Sequence, residues 1–235
     1  MCHSRVAMIV HARASMKDIV IFGAGDIAAL ADFYFTHDSP RRVAAFTVDA
    51  AFLSGDAFLG RPVVPFETVG DHYPPDRFDF FVAVSYARLN AVRAGKVAEA
   101  RAKGYELVSY VSSRVTVFPD LSHGHNCFIL ENNVIQPFAR LGNNVTLWSG
   151  NHIGHHSVIE DDVFIASHCV VSGGVRVGQA GFLGVNTTVR DHVTLGPRCV
   201  LGAGALVLAD LPAESVVAPR GTEVSPVPSH RLRRI

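Results

Sequence analysis

An apolar residue occupies every sixth position from Ile129 to Val207: Ile129, Ile135, Leu141, Leu147, Ile153, Ile159, Ile165, Val171, Val177, Leu183, Val189, Leu195, Leu201 and Val207. Two positions before each stands a mostly small or β-branched residue, such as Ala139, Val145, Ser157, Cys169, Val175 or Thr187. A period of six fits neither a helix nor the simple alternation of a flat sheet, and among repeat architectures it marks a parallel β-helix. Each hexad supplies one short strand and one corner, so three hexads close a triangular coil of eighteen residues. Between four and five such coils are predicted, filled by the two inward positions of each hexad.

The residues before the repeat alternate between strand and helix. Apolar runs at Ile19–Phe22, Val43–Val48, Phe78–Val84 and Leu107–Val111 read as strands, and helices are predicted over Ala28–Phe35 and Arg88–Lys103. That order argues for a parallel sheet whose ligand lies at the C-terminal strand ends. The expected organisation is therefore an extension over 1–15 that is poorly ordered, an α/β Rossmann-like domain over 16–112, a β-helix over 113–212 and a tail over 213–235. The first strand runs into Gly23-Ala-Gly-Asp26, a permissive form of the dinucleotide fingerprint, with Asp49 placed to reach a ribose hydroxyl. This half spans only about a hundred residues and holds no second mononucleotide unit, which argues against a nicotinamide cofactor. Backbone N–H groups at Gly23, Gly25 and Asp26 ahead of a helix suit a diphosphate, although the glycines are equally explained by a tight turn. Tyr86 and Arg88 follow the third strand on the same edge and are candidates to touch sugar or phosphate.

The 21 Lys and Arg balance the 21 Asp and Glu, which disfavours nucleic acid or an anionic membrane as partner. No run of eighteen apolar residues and no signal-like N-terminus is present, so a cytoplasmic protein without a membrane span is expected. Cys127, Cys169 and Cys199 are separated by multiples of six and fall in the small inward slot, which makes them core filler. Trp148, one residue after Leu147, points outward, where it packs on neighbouring protein or stacks on substrate.

Seven of the twelve histidines lie between His123 and His192. His152 precedes the inward Ile153 and faces out from a flat side, whereas His155 and His156 fall at a corner, with Gly173 and Gly174 one coil further on. A histidine can accept a proton near neutral pH, and a backbone N–H beside it can stabilise an oxyanion where no side chain intervenes. Without a Ser or Cys nucleophile paired to a base, direct attack is favoured over an acyl-enzyme.

Taken together, Ile19–Asp26, Asn151–Glu160 and Phe182–Asn186 resemble the left-handed β-helix sugar acyltransferases, of the sialic-acid O-acetyltransferase and bacillosamine or perosamine N-acetyltransferase type. The resemblance covers about Lys17 to Leu211. It implies a Rossmann-like half followed by a left-handed parallel β-helix, a handedness unlike that of ordinary parallel crossovers. It further implies acetyl-CoA or another acyl-CoA as co-substrate and a nucleotide-linked amino-deoxy sugar as acceptor, in bacterial surface-glycan synthesis. A homotrimer with active sites between prisms follows from the same likeness. His155 then matches the general base, with His156 or His152 as the alternatives, and Gly173 matches the glycine one coil on, its N–H bare. The turn at Gly23, Gly25 and Asp26, with Asp49, Tyr86, Arg88 and Trp148, is assigned to the acceptor. Ala166, Gly173, Gly184, Ala203 and Gly204 are assigned to the coenzyme, although tight β-helix corners explain their small size equally well, and no metal is expected. Two departures stand out: His156 replaces the acidic residue common after the base, leaving Glu160 or Asp161 to orient it, and the segment from Val217 departs from the usual closing motif. O-acetylation, a γ-type carbonic anhydrase and a non-catalytic nucleotide-sugar-binding trimer are the competing readings. The anhydrase needs three histidines on zinc, a pattern that His156 and His192 in one column do not complete.

Overall fold

The structure is a computed structural model that describes residues 16–231. The extension over 1–15 lies outside the described residues. The described residues divide into two compact units, one formed by 16–113 with 124–128 and the other by 114–123 with 129–231.

The first unit is built on a five-stranded sheet. Its elements are β1 (Asp18–Phe22), α1 (Asp26–His37), β2 (Val43–Val48), β3 (Ala57–Phe58), β4 (Arg61–Pro65), α2 (Val69–His72), β5 (Phe78–Val82) and α3 (Ala91–Ala102). The strand order is β3-β4-β2-β1-β5, parallel except for β3 against β4. Ile19, Val20 and Ile21 are completely buried because the sheet is covered on both sides, as continuous apolar strands require. One face packs Val20, Phe22, Phe80 and Val82 against Val97 and Ala100 of α3. From β1 the chain passes to β2 on one side, whereas β5 lies on the other, which makes the C-terminal ends of β1 and β5 the point where a ligand crevice is expected.

Three sequence expectations change here. The hairpin β3–β4 was not anticipated, since Pro62 and Pro65 disguise a strand that Arg61 holds to α1 through Asp32 at 2.7 Å and to the Val43 carbonyl. The expected strand over 107–111 reduces to a single bridge from Leu107 to Phe80, followed by a two-residue strand at Tyr110–Val111. The helix expected from Arg88 begins at Ala91, because Arg88, Leu89 and Asn90 form a left-handed turn with φ of 52°, 53° and 65°.

The second unit is a three-sided prism of two-residue strands. The first face carries Thr146–Leu147, Phe164–Ile165, Phe182–Leu183, Val200–Leu201 and Val216–Val217; the second, Val134–Ile135, His152–Ile153, Val170–Val171 and Thr188–Val189; the third, Arg140–Leu141, Val158–Ile159, Arg176–Val177 and Thr194–Leu195. From Arg140 to Val207, neighbouring strands on a face are parallel and eighteen residues apart, so Ile153 lies on Val171 and Ile159 on Val177. The apolar residues at every sixth position from Ile129 to Val207 are at most 4% exposed. Val216–Val217 pairs with Val200–Leu201, which carries the last coil past the expected limit at 212. Cys127, Cys169 and Cys199 are buried and form no disulfide, and burial pushes the Cys169 thiol up to about 11.

Every corner contains a left-handed residue, also at period six, from Asn126 through Asn132, Phe138, Asn144, Gly150, His156 and onward to Gly204. In most of them the N–H donates to a carbonyl of the preceding coil, as Gly174 does to His155 at 2.8 Å. Asparagine and glycine tolerate this conformation best, and histidine is also enriched there.

Candidate active site

The corner between the second and third faces stacks Pro137–Phe138, His155–His156, Gly173–Gly174 and Asp191–His192 at intervals of eighteen. His155 is exposed, and its backbone N–H donates to Gln136 Oε1 at 2.9 Å. Its imidazole lies over Gly173: a Cβ there would stand 2.6 Å from Cε1 and 2.7 Å from Nε2. Only glycine leaves room for that ring. The Nδ1 atoms of His155 and His156 are 3.1 Å apart, so one ring donates to the other. With the proton on His155 Nδ1, its Nε2 lone pair is free to act as a base. His156 occupies the left-handed slot at φ 60°, and its ring packs on Phe138 with centroids 4.7 Å apart. His192 fills the equivalent slot two coils away and packs on Gly174.

Two expectations about this corner are corrected. The Gly173 N–H is not bare, since it donates to Asp191 Oδ1 at 2.8 Å. Glu160 and Asp161 do not orient His155, because they belong to the corner between the third and first faces. There Glu160 pairs with Arg176 and accepts the Gln179 N–H, and Asp161 accepts the Asn143 N–H at 2.7 Å. A cavity of about 390 Å³ on the third face opens beside Glu160, Asp161 and Gln179 rather than beside His155. His152 is half-buried on the second face between Val134 and Val170.

Of the positions assigned to the coenzyme, Ala166, Gly184, Ala203 and Gly204 follow strands of the first face, whereas Gly173 sits on the His155 corner. Gly184 is unsuited to that role. It is buried, its N–H donates to the Leu201 carbonyl at 2.7 Å, and its carbonyl accepts the Thr187 hydroxyl and the Cys169 thiol. A Cβ at Gly184 would meet the Ala203 nitrogen at 2.8 Å, so packing between coils explains the glycine. Ala166 is half-exposed, with its N–H on the Leu183 carbonyl; Ala203 and Gly204 are exposed. Trp148 is half-buried beside Phe164, at 6.4 Å between centroids.

In the first unit, the turn after β1, Asp49 after β2, and Tyr86 with Arg88 after β5 share the C-terminal edge of the sheet. Gly23 has φ 124°, and a Cβ on it would stand 2.7 Å from the Ala83 carbonyl oxygen, so the close approach of β1 and β5 demands glycine. Gly25 has an extended φ of −120° and open space where a Cβ would be. Asp26 opens α1 and is exposed, as are Tyr86 and Arg88. Asp49 does not stand alone: Lys96 of α3, unmarked by any sequence motif, binds it at 2.7 Å and Glu99 at 2.8 Å. Burial pulls the Lys96 ammonium down, but hydrogen bonds and charge from Asp49 and Glu99 outweigh it and leave the group raised. A ribose hydroxyl at Asp49 would therefore share the carboxylate with Lys96.

Among the described residues, no group of three His, Cys, Asp or Glu is arranged to hold a metal ion, and no helix is long and apolar enough to cross a membrane. No protein-family model and no curated protein sequence matches the chain. Solved structures do. The acetyltransferase domain of PglB from Neisseria gonorrhoeae superposes with a TM-score of 0.76 at 22% identity, over 86% of this chain and 96% of its own. Perosamine N-acetyltransferase from Caulobacter crescentus, in a structure with CoA and GDP-perosamine, gives 0.76 at 25% identity over 86% and 94%. WeeI from Acinetobacter baumannii gives 0.72 at 19% identity over 86% and 97%. This chain shares its fold with the left-handed β-helix sugar acetyltransferases.

Proposed function

We propose that this protein is an acetyl-CoA-dependent N-acetyltransferase acting on a nucleotide-linked amino-deoxy sugar, in bacterial surface-glycan synthesis. The observation that carries the reading is the corner where the His155 ring lies over Gly173, in a chain whose solved relatives include an enzyme crystallised with CoA and GDP-perosamine. The amino nitrogen of the sugar attacks the thioester carbonyl carbon while His155 Nε2 takes its proton. The tetrahedral intermediate collapses as the carbon–sulfur bond breaks, and the imidazolium returns the proton to the departing thiolate. His156 holds His155 in the productive tautomer through their Nδ1 atoms, the task given elsewhere to an acidic residue. The acceptor's diphosphate is assigned to the exposed N–H groups around Gly25 and Asp26 at the start of α1, with Asp49, Tyr86 and Arg88 beside it.

The coenzyme is assigned to Ala166, Ala203 and Gly204, which lie on a different prism edge from His155. A homotrimer that sets one prism's His155 corner against the next prism's small-residue edge would bring the two together. The test is thiol release from acetyl-CoA against a panel of nucleotide-linked amino sugars and their hydroxyl counterparts, with metal analysis of the protein alongside. Amino-sugar-dependent release from a metal-free preparation supports the proposal. Release only with hydroxyl acceptors would move the reading to O-acetylation, and binding without release would make the protein a nucleotide-sugar-binding scaffold.

A further inference from the structure

Resting on that reading, we infer that Asp191 is a specificity-determining residue which occupies the oxyanion position in the free protein and must vacate it before an acyl group can bind. At four corners, the N–H two residues after the inward apolar residue is captured by a side chain from a neighbouring coil. His155 uses Gln136, Asn143 uses Asp161, Gln179 uses Glu160 and Gly173 uses Asp191. This N–H is available to a group outside the backbone ladder. At Gly173 it shares its position with the His155 ring, whose Nε2 lies 2.7 Å from where a Cβ would stand. Asp191 Oδ1, at 2.8 Å from the Gly173 nitrogen, is a negatively charged oxygen where the thioester oxygen needs to sit, and the geometry matches that of an oxyanion contact.

Asp191 is exposed, so its carboxylate can exchange this bond for water when a ligand arrives. The fraction of molecules with the N–H open then scales the apparent affinity for any ligand that uses it. Acetyl-CoA presents a carbonyl to that N–H, whereas CoA does not. Asp191 thus lowers affinity for the acylated coenzyme specifically and narrows the difference between substrate and product.

Calorimetric titration of acetyl-CoA and of CoA into the wild type, Asp191→Ala and Asp191→Asn tests this, with Asp161→Ala as a corner control. The expected result is that Asp191→Ala binds acetyl-CoA about 3–10-fold more tightly, with CoA affinity unchanged. Asp191→Asn keeps a weaker, neutral acceptor and should lie between, which carries the test if the alanine variant does not fold. Asp161→Ala should change neither affinity. Wild-type binding of acetyl-CoA with no tightening in either Asp191 variant overturns the inference and leaves the proposed function standing. A fall in kcat without an affinity change would make Asp191 a residue that positions His155, which also overturns it. Failure of wild type and variants alike to bind acetyl-CoA would remove the proposed function, and this inference with it.

Discussion

His155 and Gly173 are sterically interdependent, because the ring occupies the volume that any side chain at 173 would need. That dependence separates structure from chemistry in a mutational test. His155→Asn keeps the corner's shape while removing the base, so turnover should fall by about 10²–10⁴ with little change in binding of either substrate. His156→Asn removes an orienting partner and should cost less; equal or larger loss there would reassign the base. The glycines of the N-terminal turn differ in the same way. Gly23→Ala combines a left-handed φ with a 2.7 Å approach to the Ala83 carbonyl, and should destabilise the fold by about 1–3 kcal/mol in denaturant titration. Gly25→Val meets open space in this chain and should leave stability within about 0.5 kcal/mol, yet weaken nucleotide-sugar affinity by filling the room a diphosphate needs. Unchanged affinity in the Gly25 variant would take that turn out of the acceptor site.

At the scale of elements, the end of α1 is fastened by one carboxylate. Asp38, the C-cap residue, accepts from Tyr110 Oη at 2.6 Å, Ser112 Oγ at 3.0 Å, the Ser113 N–H at 2.9 Å and the Ser113 hydroxyl. The Ser113 hydroxyl, then Tyr110, hold the Asp38 carboxyl far below its ordinary 3.8. A depressed carboxylate stabilises the fold fully above its unfolded value and loses that contribution as the pH falls through the lower folded one. Asp38→Ala should therefore cost about 1–3 kcal/mol at neutral pH, leaving the Tyr110 hydroxyl without its acceptor, and the difference from wild type should shrink below about pH 4. A difference constant from pH 7 to pH 3 would show that packing, not charge, sets the cost. None of this was legible in the sequence, where Asp38 looks like any residue after a helix. The prism's strands were legible because each coil repeats the previous one and position modulo six decides which side chains turn inward. Its left-handed corners were half-visible: Asn126, Asn132, Asn144 and Asn186 recur at period six, but Phe138, Ala180 and Arg198 break the pattern. The cross-coil partners, such as Asp191 on Gly173 and Glu160 on Arg176, depend on rotamers and lay beyond a periodicity argument.

Within the prism, the candidate base and the residues proposed for the coenzyme lie on two different edges, which the proposed trimer would bring together. The period of six located His155 and Gly173 on one corner, and it equally locates Ala166, Ala203 and Gly204 on another; what one chain cannot reveal is how neighbouring prisms meet. The outward column of the second face reads Val134, His152, Val170, Thr188 and Leu206, in which Val134 is 38%, Val170 39% and Leu206 62% exposed, and Phe138 at 63% stands on the adjoining corner. A monomer would leave these in water, whereas cyclic packing of three prisms buries apolar surface and brings unlike edges together. Light scattering should therefore give about three times the 25.3 kDa chain mass at micromolar concentration. Val170→Glu places a charge in the middle of that column without replacing His155, Gly173 or any inward residue. It should shift the mass toward one chain and abolish acetyl transfer together, while the isolated chain stays folded. A variant that is monomeric yet fully active would show that one prism completes the site, and the assignment of the coenzyme to Ala203 and Gly204 would have to move to the His155 corner.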